Sequence, residues 1–328
     1  MKGMGEIGPA RLAGNEPYPA RPAILPPIAK VENPRSKSYA WLLAARPKTL
    51  FAAVGPVLLG TLFAATYGYF HALAALCALL GAIFIQVGTN LANDYQDFLR
   101  GADTEARKGP LRVTQSGLLS AQEVRIGTGV AFGLAFLAGA YLIARGGWPI
   151  LALGLICIGS GIAYTAGRYA LAYTGLADIF VLIFFGPVAV AGTYYVQSLV
   201  LHIEPVVAGL GAGFLATAIL IANNVRDVEE DRAASKRTLV VRFGRRCGVR
   251  LYGVCISGAV AVPAAMVLWL NGRPGALVAS LIASLVGRSL TTTLANNTDS
   301  SILNPLLGKT ALLLFVYCAA FGLGWMLT

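Results

Sequence analysis

The sequence predicts an all-α protein that crosses a membrane many times, and three observations carry that prediction. Hydrophobic residues make up 56% of the chain and charged ones only 12%, a balance typical of membrane rather than soluble proteins. The apolar residues gather into runs of about 20, enough to cross a hydrocarbon core as a helix. The runs lack period-two alternation, and a bilayer offers the backbone no outside hydrogen-bond partner, so a helical bundle is expected and a barrel is excluded.

The elements follow in chain order. Residues 1–38 are rich in Pro, Gly and charge without apolar periodicity, so a disordered cytoplasmic tail is expected there. The tail lacks the apolar core of a signal peptide, and Glu6, Glu16 and Glu32 do not suit a transit peptide. A single membrane domain, 39–328, follows from near Trp41. Nine spans are expected, at 48–66, 69–92, 122–144, 148–167, 176–197, 205–225, 247–270, 274–292 and 306–327. All connections are short except 93–120 and 226–250, and long loops in compact domains often carry binding elements.

Those two connections also hold most of the basic residues. Arg100, Arg107, Lys108 and Arg112 lie in the first; Arg226, Arg232, Lys236, Arg237, Arg242, Arg245, Arg246 and Arg250 lie in the second. Opposite connections carry little beyond Arg145 and Arg273. The net charge of +11 therefore reads as a topology signal with both long loops facing the cytoplasm, not as nucleic-acid binding. With nine spans the N-terminus is expected inside and the C-terminus outside. The five cysteines are scattered in apolar segments without metal-ligand spacing, and His71 and His202 show no ligand pattern.

One motif occurs twice. Residues 91–97 read Leu-Ala-Asn-Asp-Tyr-Gln-Asp and residues 221–227 read Ile-Ala-Asn-Asn-Val-Arg-Asp, each at the end of an apolar run and each followed by a basic cluster. The ~130 residues between the copies accommodate four helices, so pseudo-repeated halves around a central cavity are expected. Carboxylates at the ends of membrane segments are costly and point to function. On a helix Asn90, Asn93, Asp94 and Asp97 share one face, as do Asn223, Asp227 and Asp231. Two anions 4 Å apart repel by roughly 4 kcal/mol at an effective dielectric of 20. A hard divalent cation removes that cost, and Mg²⁺ suits it best, binding through one or two carboxylates with substrate phosphate and water. The neighbouring Arg and Lys residues then read as diphosphate contacts. The rival is a set of loop salt bridges from the aspartates to Arg100, Arg226 and Arg232. A Mg²⁺–diphosphate site at a bilayer edge implies a substrate with a charged head and a lipid tail. Tyr95, Tyr164, Tyr169 and Tyr173 lie near the helix ends that would line the pocket, and Tyr164 is singled out.

Asn93-Asp94-Tyr95-Gln96-Asp97 and Asp227-Val228-Glu229-Glu230-Asp231 resemble the two Asp-rich motifs of the UbiA superfamily of membrane prenyltransferases, from about Arg46 to the C-terminus. Three further blocks resemble its 1,4-dihydroxy-2-naphthoate polyprenyltransferase branch. The first is 88–95 with Gly109-Pro110-Leu111-Arg112 and Ser116-Gly117. The second is 164–167 with 173–178 and Phe184-Phe185-Gly186. The third is Asn223-Asn224-Val225-Arg226-Asp227 with 236–244. The resemblance implies that Asn93 and Asp97 bind one Mg²⁺ and Asp227 and Asp231 another, with Asp94 supporting the first. It implies substrate contacts from Arg46, Lys48 and Asn90, from Arg107, Lys108 and Arg112, from Arg168, and from Asn223, Asn224, Arg226, Lys236 and Arg237. Tyr164 and Asp178 are the further candidate catalytic residues, Asp178 to orient or deprotonate the aromatic substrate.

Departures from the family pattern are few. Gly101 stands where the extended first motif often has Asp, with Asp103 as a substitute; Ala177 and Ser235 each replace a common Gly. The implied activity is transfer of a polyprenyl chain from polyprenyl diphosphate to 1,4-dihydroxy-2-naphthoate with decarboxylation, giving demethylmenaquinone, in a bacterial cytoplasmic membrane. The alternatives are another aromatic acceptor, such as 4-hydroxybenzoate or homogentisate, and, more remotely, a secondary transporter. Transporters place polar residues mid-helix with Gly/Pro breaks, whereas these lie at helix ends.

Overall fold

A computed structural model describes residues 36–99, 109, 111–163, 175–270 and 272–328, and every regular element among them is helical. The order is α1 (Lys37–Ala45), α2 (Pro47–Thr66), α3 (Ala72–Leu99), α4 (Ala121–Gly146), α5 (Trp148–Ala163), α6 (Ala177–Ser198), α7 (Ile203–Arg226), α8 (Val228–Ala233), α9 (Leu239–Phe243), α10 (Arg245–Trp269), α11 (Leu277–Asn296) and α12 (Ser300–Leu327). Each of the nine expected spans coincides with a helix. Eight are long and apolar enough to cross a membrane; α5 is a shorter apolar helix. The chain is a multi-pass membrane protein.

Two additions refine the expected boundaries. A short helix, α1, starts at Lys37, ahead of the first expected span, and buries Ala40 and Ala44 beside Leu91, Val113 and Val124. Inside the second long connection the chain forms two short helices, α8 and α9. Thr238 starts α9 by accepting a hydrogen bond from the Val241 amide at 3.2 Å. Across the first long connection, Ser120 and Glu123 make reciprocal N-terminal bonds that fix the start of α4.

The centre of the bundle is α7, packed against α6, α10 and α12; α2 packs on α12 and α6, and α3 packs on α4 and α5. Between membrane helices the hydrophobic effect gives no net pull, so association relies on close contact between small residues. Helix α7 supplies them at Ala208, Gly209, Ala212, Gly213 and Ala216. Helix α6 bends where they touch it. Residues Phe184–Val188 form a π-turn, Gly186 leaves helical geometry (φ −107°, ψ −111°), and Pro187 has no N–H to donate. A Cβ on Gly213 would lie 2.2 Å from the Leu182 carbonyl oxygen, and one on Gly209 2.6 Å from the Pro187 Cα. The bend is therefore held by backbone-to-backbone contact. Two buried tyrosine hydroxyls in the core bond between helices: Tyr317 donates to the Ala259 carbonyl and Tyr252 pairs with Thr310, both at 2.9 Å.

This contact predicts that Gly213→Leu destabilises the protein by roughly 3 kcal/mol or more, as overpacking against backbone does. The check is the thermal midpoint in detergent, which would fall by several degrees; an unchanged midpoint would contradict the packing.

Candidate active site

The C-terminal ends of α3 and α7 bring both motifs to one cavity of about 490 Å³. Its polar end is lined by Arg46, Asn90, Asn93, Asp97, Arg112, Asn223, Asn224, Asp227, Asp231 and Lys236. Its other walls are apolar, with Ile85, Leu142, Leu153, Phe180, Phe184 and Val188 among them. A charged head group and an apolar tail would thus each meet matching surface.

Each aspartate at the polar end has a cation. Arg112 reaches Asp97 with Nη2 to Oδ2 at 2.7 Å, both side chains buried. Arg226 grips Asp227 with two bonds of 2.6 Å, from Nε and Nη2. Lys236 Nζ lies 3.1 Å from Asp231 Oδ1. Burial pushes the Asp231 carboxyl above the usual carboxylate range; Lys236 opposes that, while Asp227 and Asp97 add repulsion in the same direction as burial. Asp97 of the first motif thus lies within electrostatic reach of Asp231 in the second. Arg232, proposed as an aspartate partner, instead pairs with exposed Glu229 at 2.5 Å.

The second motif does not run as one helical stripe. Helix α7 ends at Arg226, and Asp227 is both its cap and the residue preceding α8. The spacing survives because Asp227 N donates to the Asn223 carbonyl (3.0 Å) and Asp231 N to that of Asp227 (2.8 Å). Ser235, just beyond, sits at φ +57°. A left-handed backbone favours Gly, which accounts for the Gly that Ser235 replaces in the family pattern.

Four expected site residues lie elsewhere. Asp94 does not line the cavity: its oxygens accept the amides of Val113 (3.3 Å) and Thr114 (3.1 Å), pinning the loop that carries Arg112. Arg226 is buried behind the cavity wall, where its remaining donors reach Asn223 Oδ1 (2.8 Å) and Asn304 Oδ1 (2.9 Å). It holds the second motif together and does not line the cavity. Lys48 is exposed, its stem passing near Gly308, and Arg237 is exposed as well; neither lines the cavity. Arg107, Lys108, Tyr164 and Arg168 fall outside the described residues, as do Arg100, Gly101, Asp103, Tyr169 and Tyr173.

Asn90 has a positioning role that its place in the stripe did not reveal. Its Nδ2 donates to the Ala45 carbonyl and to Thr49 Oγ1, both at 3.0 Å, and Gln86 Nε2 donates to its Oδ1 at 3.4 Å. These bonds hold the corner between α1 and α2, where Arg46 takes a left-handed backbone (φ 51°, ψ 67°) before Pro47. Thr49, Gln86, Glu230 and Asn304 were not anticipated. Gln86 stands one helical turn before Asn90 and Thr49 directly follows Arg46-Pro47-Lys48, so both were within reach of spacing arguments.

Asp178, on α6, lines the cavity as expected, and its Oδ1 is buried without a hydrogen-bond partner. Asp97 Oδ1 is likewise buried and unpartnered while Oδ2 holds Arg112. A buried carboxylate oxygen without a donor suits a cation. No three His, Cys, Asp or Glu side chains among the described residues cluster tightly enough to hold a metal by themselves. Mg²⁺ needs only one or two carboxylates per ion when phosphate and water complete its shell, so the oxygen donors present fit such an ion.

Comparisons with known sequences and structures place the chain in a family and a fold. The family model described as "UbiA prenyltransferase family" matches residues 53–302. The 1,4-dihydroxy-2-naphthoate octaprenyltransferase of Escherichia coli (strain K12) is 40% identical over 227 residues, 67% of this chain and 73% of that protein. The protein of the same name from Mycobacterium tuberculosis is 34% identical over 283 residues, 85% of this chain and 94% of its own length. The solved structure of a UbiA homolog from Archaeoglobus fulgidus bound to GPP and Mg²⁺ superposes with a TM-score of 0.62 at 20% identity, covering 86% of this chain and 99% of that one.

The Asp94 bonds predict that Asp94→Ala frees the loop without emptying the cavity of its charges. Losing two hydrogen bonds to a carboxylate, ~1.5 kcal/mol or more each, should speed amide exchange at Val113 and Thr114 by at least about a hundredfold, read by hydrogen–deuterium exchange. Unchanged exchange there would contradict the clamp.

Proposed function

The chain belongs to the UbiA prenyltransferase family, and on that premise we propose that it transfers a polyprenyl chain from polyprenyl diphosphate to 1,4-dihydroxy-2-naphthoate, releasing CO₂ and diphosphate and giving a demethylmenaquinol, the reduced form of a demethylmenaquinone. Two relatives of that activity, 40% and 34% identical over most of their length, support the acceptor. The observation that carries the reading is the pairing of both Asp motifs with Arg112, Arg226 and Lys236 at one end of an apolar cavity. A bacterial cytoplasmic membrane, with the motif loops on the cytoplasmic side, is the location we assign on the charge asymmetry of the loops.

Asn93 and Asp97 would hold one Mg²⁺, and Asp227 and Asp231 a second. When bound, these ions stabilise negative charge as it develops on the diphosphate oxygens during ionisation. The chain's own residues do the rest. Arg46, Arg112 and Lys236 line the polar end and would bind the diphosphate head, while Arg112 and Lys236 also pair with Asp97 and Asp231, the carboxylates that would hold the ions. Arg226 keeps Asp227 and Asn223 in register from behind the wall. Asn90 holds the Arg46 corner. The apolar walls around Phe180 and Phe184 enclose the tail and exclude water from the allylic cation. Asp178 accepts a hydrogen bond from an acceptor hydroxyl, which its unpartnered Oδ1 supports, and raises the electron density of the ring. The ring carbon bearing the carboxylate attacks the allylic carbon as the carbon–oxygen bond to diphosphate breaks; the carboxylate then leaves as CO₂, returning its bonding pair to the ring.

Membranes given labelled farnesyl diphosphate and a panel of aromatic acids should form a prenylated product from 1,4-dihydroxy-2-naphthoate that EDTA suppresses, identified by mass. Asp97→Ala and Asp227→Ala should each lower the rate by at least about a hundredfold, the scale for removing charge stabilisation from a transition state, with unchanged membrane insertion. Near-normal activity in either variant, or preference for 4-hydroxybenzoate or homogentisate, would overturn the reading.

A further inference from the structure

A second concavity lies outside the bundle, between α11 and α12. It has a volume of about 370 Å³, with Val286, Leu313 and Val316 on one side of Lys309 and Ser289, Thr293 and Ile302 toward the other end. That end is the one carrying the motifs. Arg245, at the start of α10, donates to the Leu294 and Asn297 carbonyls at the end of α11, and Asn304, near the start of α12, bonds Arg226.

Lys309 is the unusual member. Helix α12 has 28 residues, so it spans about 42 Å against a hydrocarbon core of about 30 Å. Lys309 stands about 13 Å along it from Ser300, below the expected hydrocarbon boundary. Its side chain is exposed, and no acidic or carbonyl partner meets its ammonium among the described residues. A lysine at that depth needs an anion or a route to the surface. Side chains tilt toward the helix N-terminus, which directs the ammonium toward the level of Ser289 and the motif end. The groove beside it offers apolar surface for an acyl chain and hydroxyls for phosphate oxygens.

We propose that this groove binds an anionic glycerophospholipid from the leaflet on the motif side, its phosphate on Lys309 with Ser289 and Thr293 and an acyl chain along Val286, Leu313 and Val316. A net negative lipid is favoured over a zwitterionic one because a choline or ethanolamine ammonium would oppose Lys309. The site faces away from the cavity, so it stands independently of the transferase reading.

The test is native mass spectrometry of the purified full chain from micelles containing equal amounts of phosphatidylglycerol and phosphatidylcholine. The wild type and Lys309→Arg should retain phosphatidylglycerol preferentially. Lys309→Gln should lower that preference about fivefold, the factor contributed by one basic residue near an anionic bilayer. Arg288→Gln, at an exposed cation on α11 that does not line the groove, should leave it unchanged. Equal retention of both lipids by the wild type, an unaltered preference in Lys309→Gln, or displacement of phosphatidylglycerol by added farnesyl diphosphate would each overturn the proposal.

Discussion

The structure depends on keeping three carboxylates at the edge of a bilayer without ruinous desolvation. Asp97, Asp227 and Asp231 are all buried, and each is neutralised by a cation from its own half of the molecule: Arg112, Arg226 and Lys236. Removing one member of such a pair leaves an uncompensated charge, which costs far more than the pair contributes. The connections after α3 and α7 each return a cation to a carboxylate of the preceding motif: Arg112 to Asp97 and Lys236 to Asp231.

The backbone is organised around that return. Asp94 spends its charge on the amides of Val113 and Thr114, so the residue just before them, Arg112, arrives at Asp97. Asp227 ends α7 and precedes α8, and the αL turn at Ser235 then swings Lys236 back to Asp231. On the opposite wall, Asn90 ties α3 to the corner that holds Arg46. Packing supplies the rigidity. The Gly186–Gly209–Gly213 contact draws the bent α6 onto α7, which brings Asp178 to the same cavity as both motifs.

The spans were legible because a bilayer imposes a single length on every crossing helix, so apolar run length alone located nine helices. The motifs were legible because carboxylates there are expensive. The sequence could not separate Asp94 from Asp97: both lie on one helical face, and only the position of the 113–114 backbone, a tertiary fact, gives them different work. Arg226 and Arg237 looked equivalent to Lys236 in a basic loop, yet Arg226 turns inward to Asp227 and Arg237 faces out. The break at Asp227 was hidden because helical i to i+4 hydrogen bonds continue through it. Gln86 and Thr49 went unnoticed since neither carries charge.

Because built-in cations already balance the carboxylates, a divalent ion gains little alone and would bind together with a diphosphate that takes over Arg112 and Lys236. Titration of the purified chain with Mn²⁺, followed by electron paramagnetic resonance with and without a non-hydrolysable farnesyl diphosphate analogue, tests this coupling most directly. The account predicts weak Mn²⁺ binding alone and at least about tenfold tighter binding with the analogue, a coupling of ~1.4 kcal/mol. Equally tight Mn²⁺ binding without the analogue would contradict it.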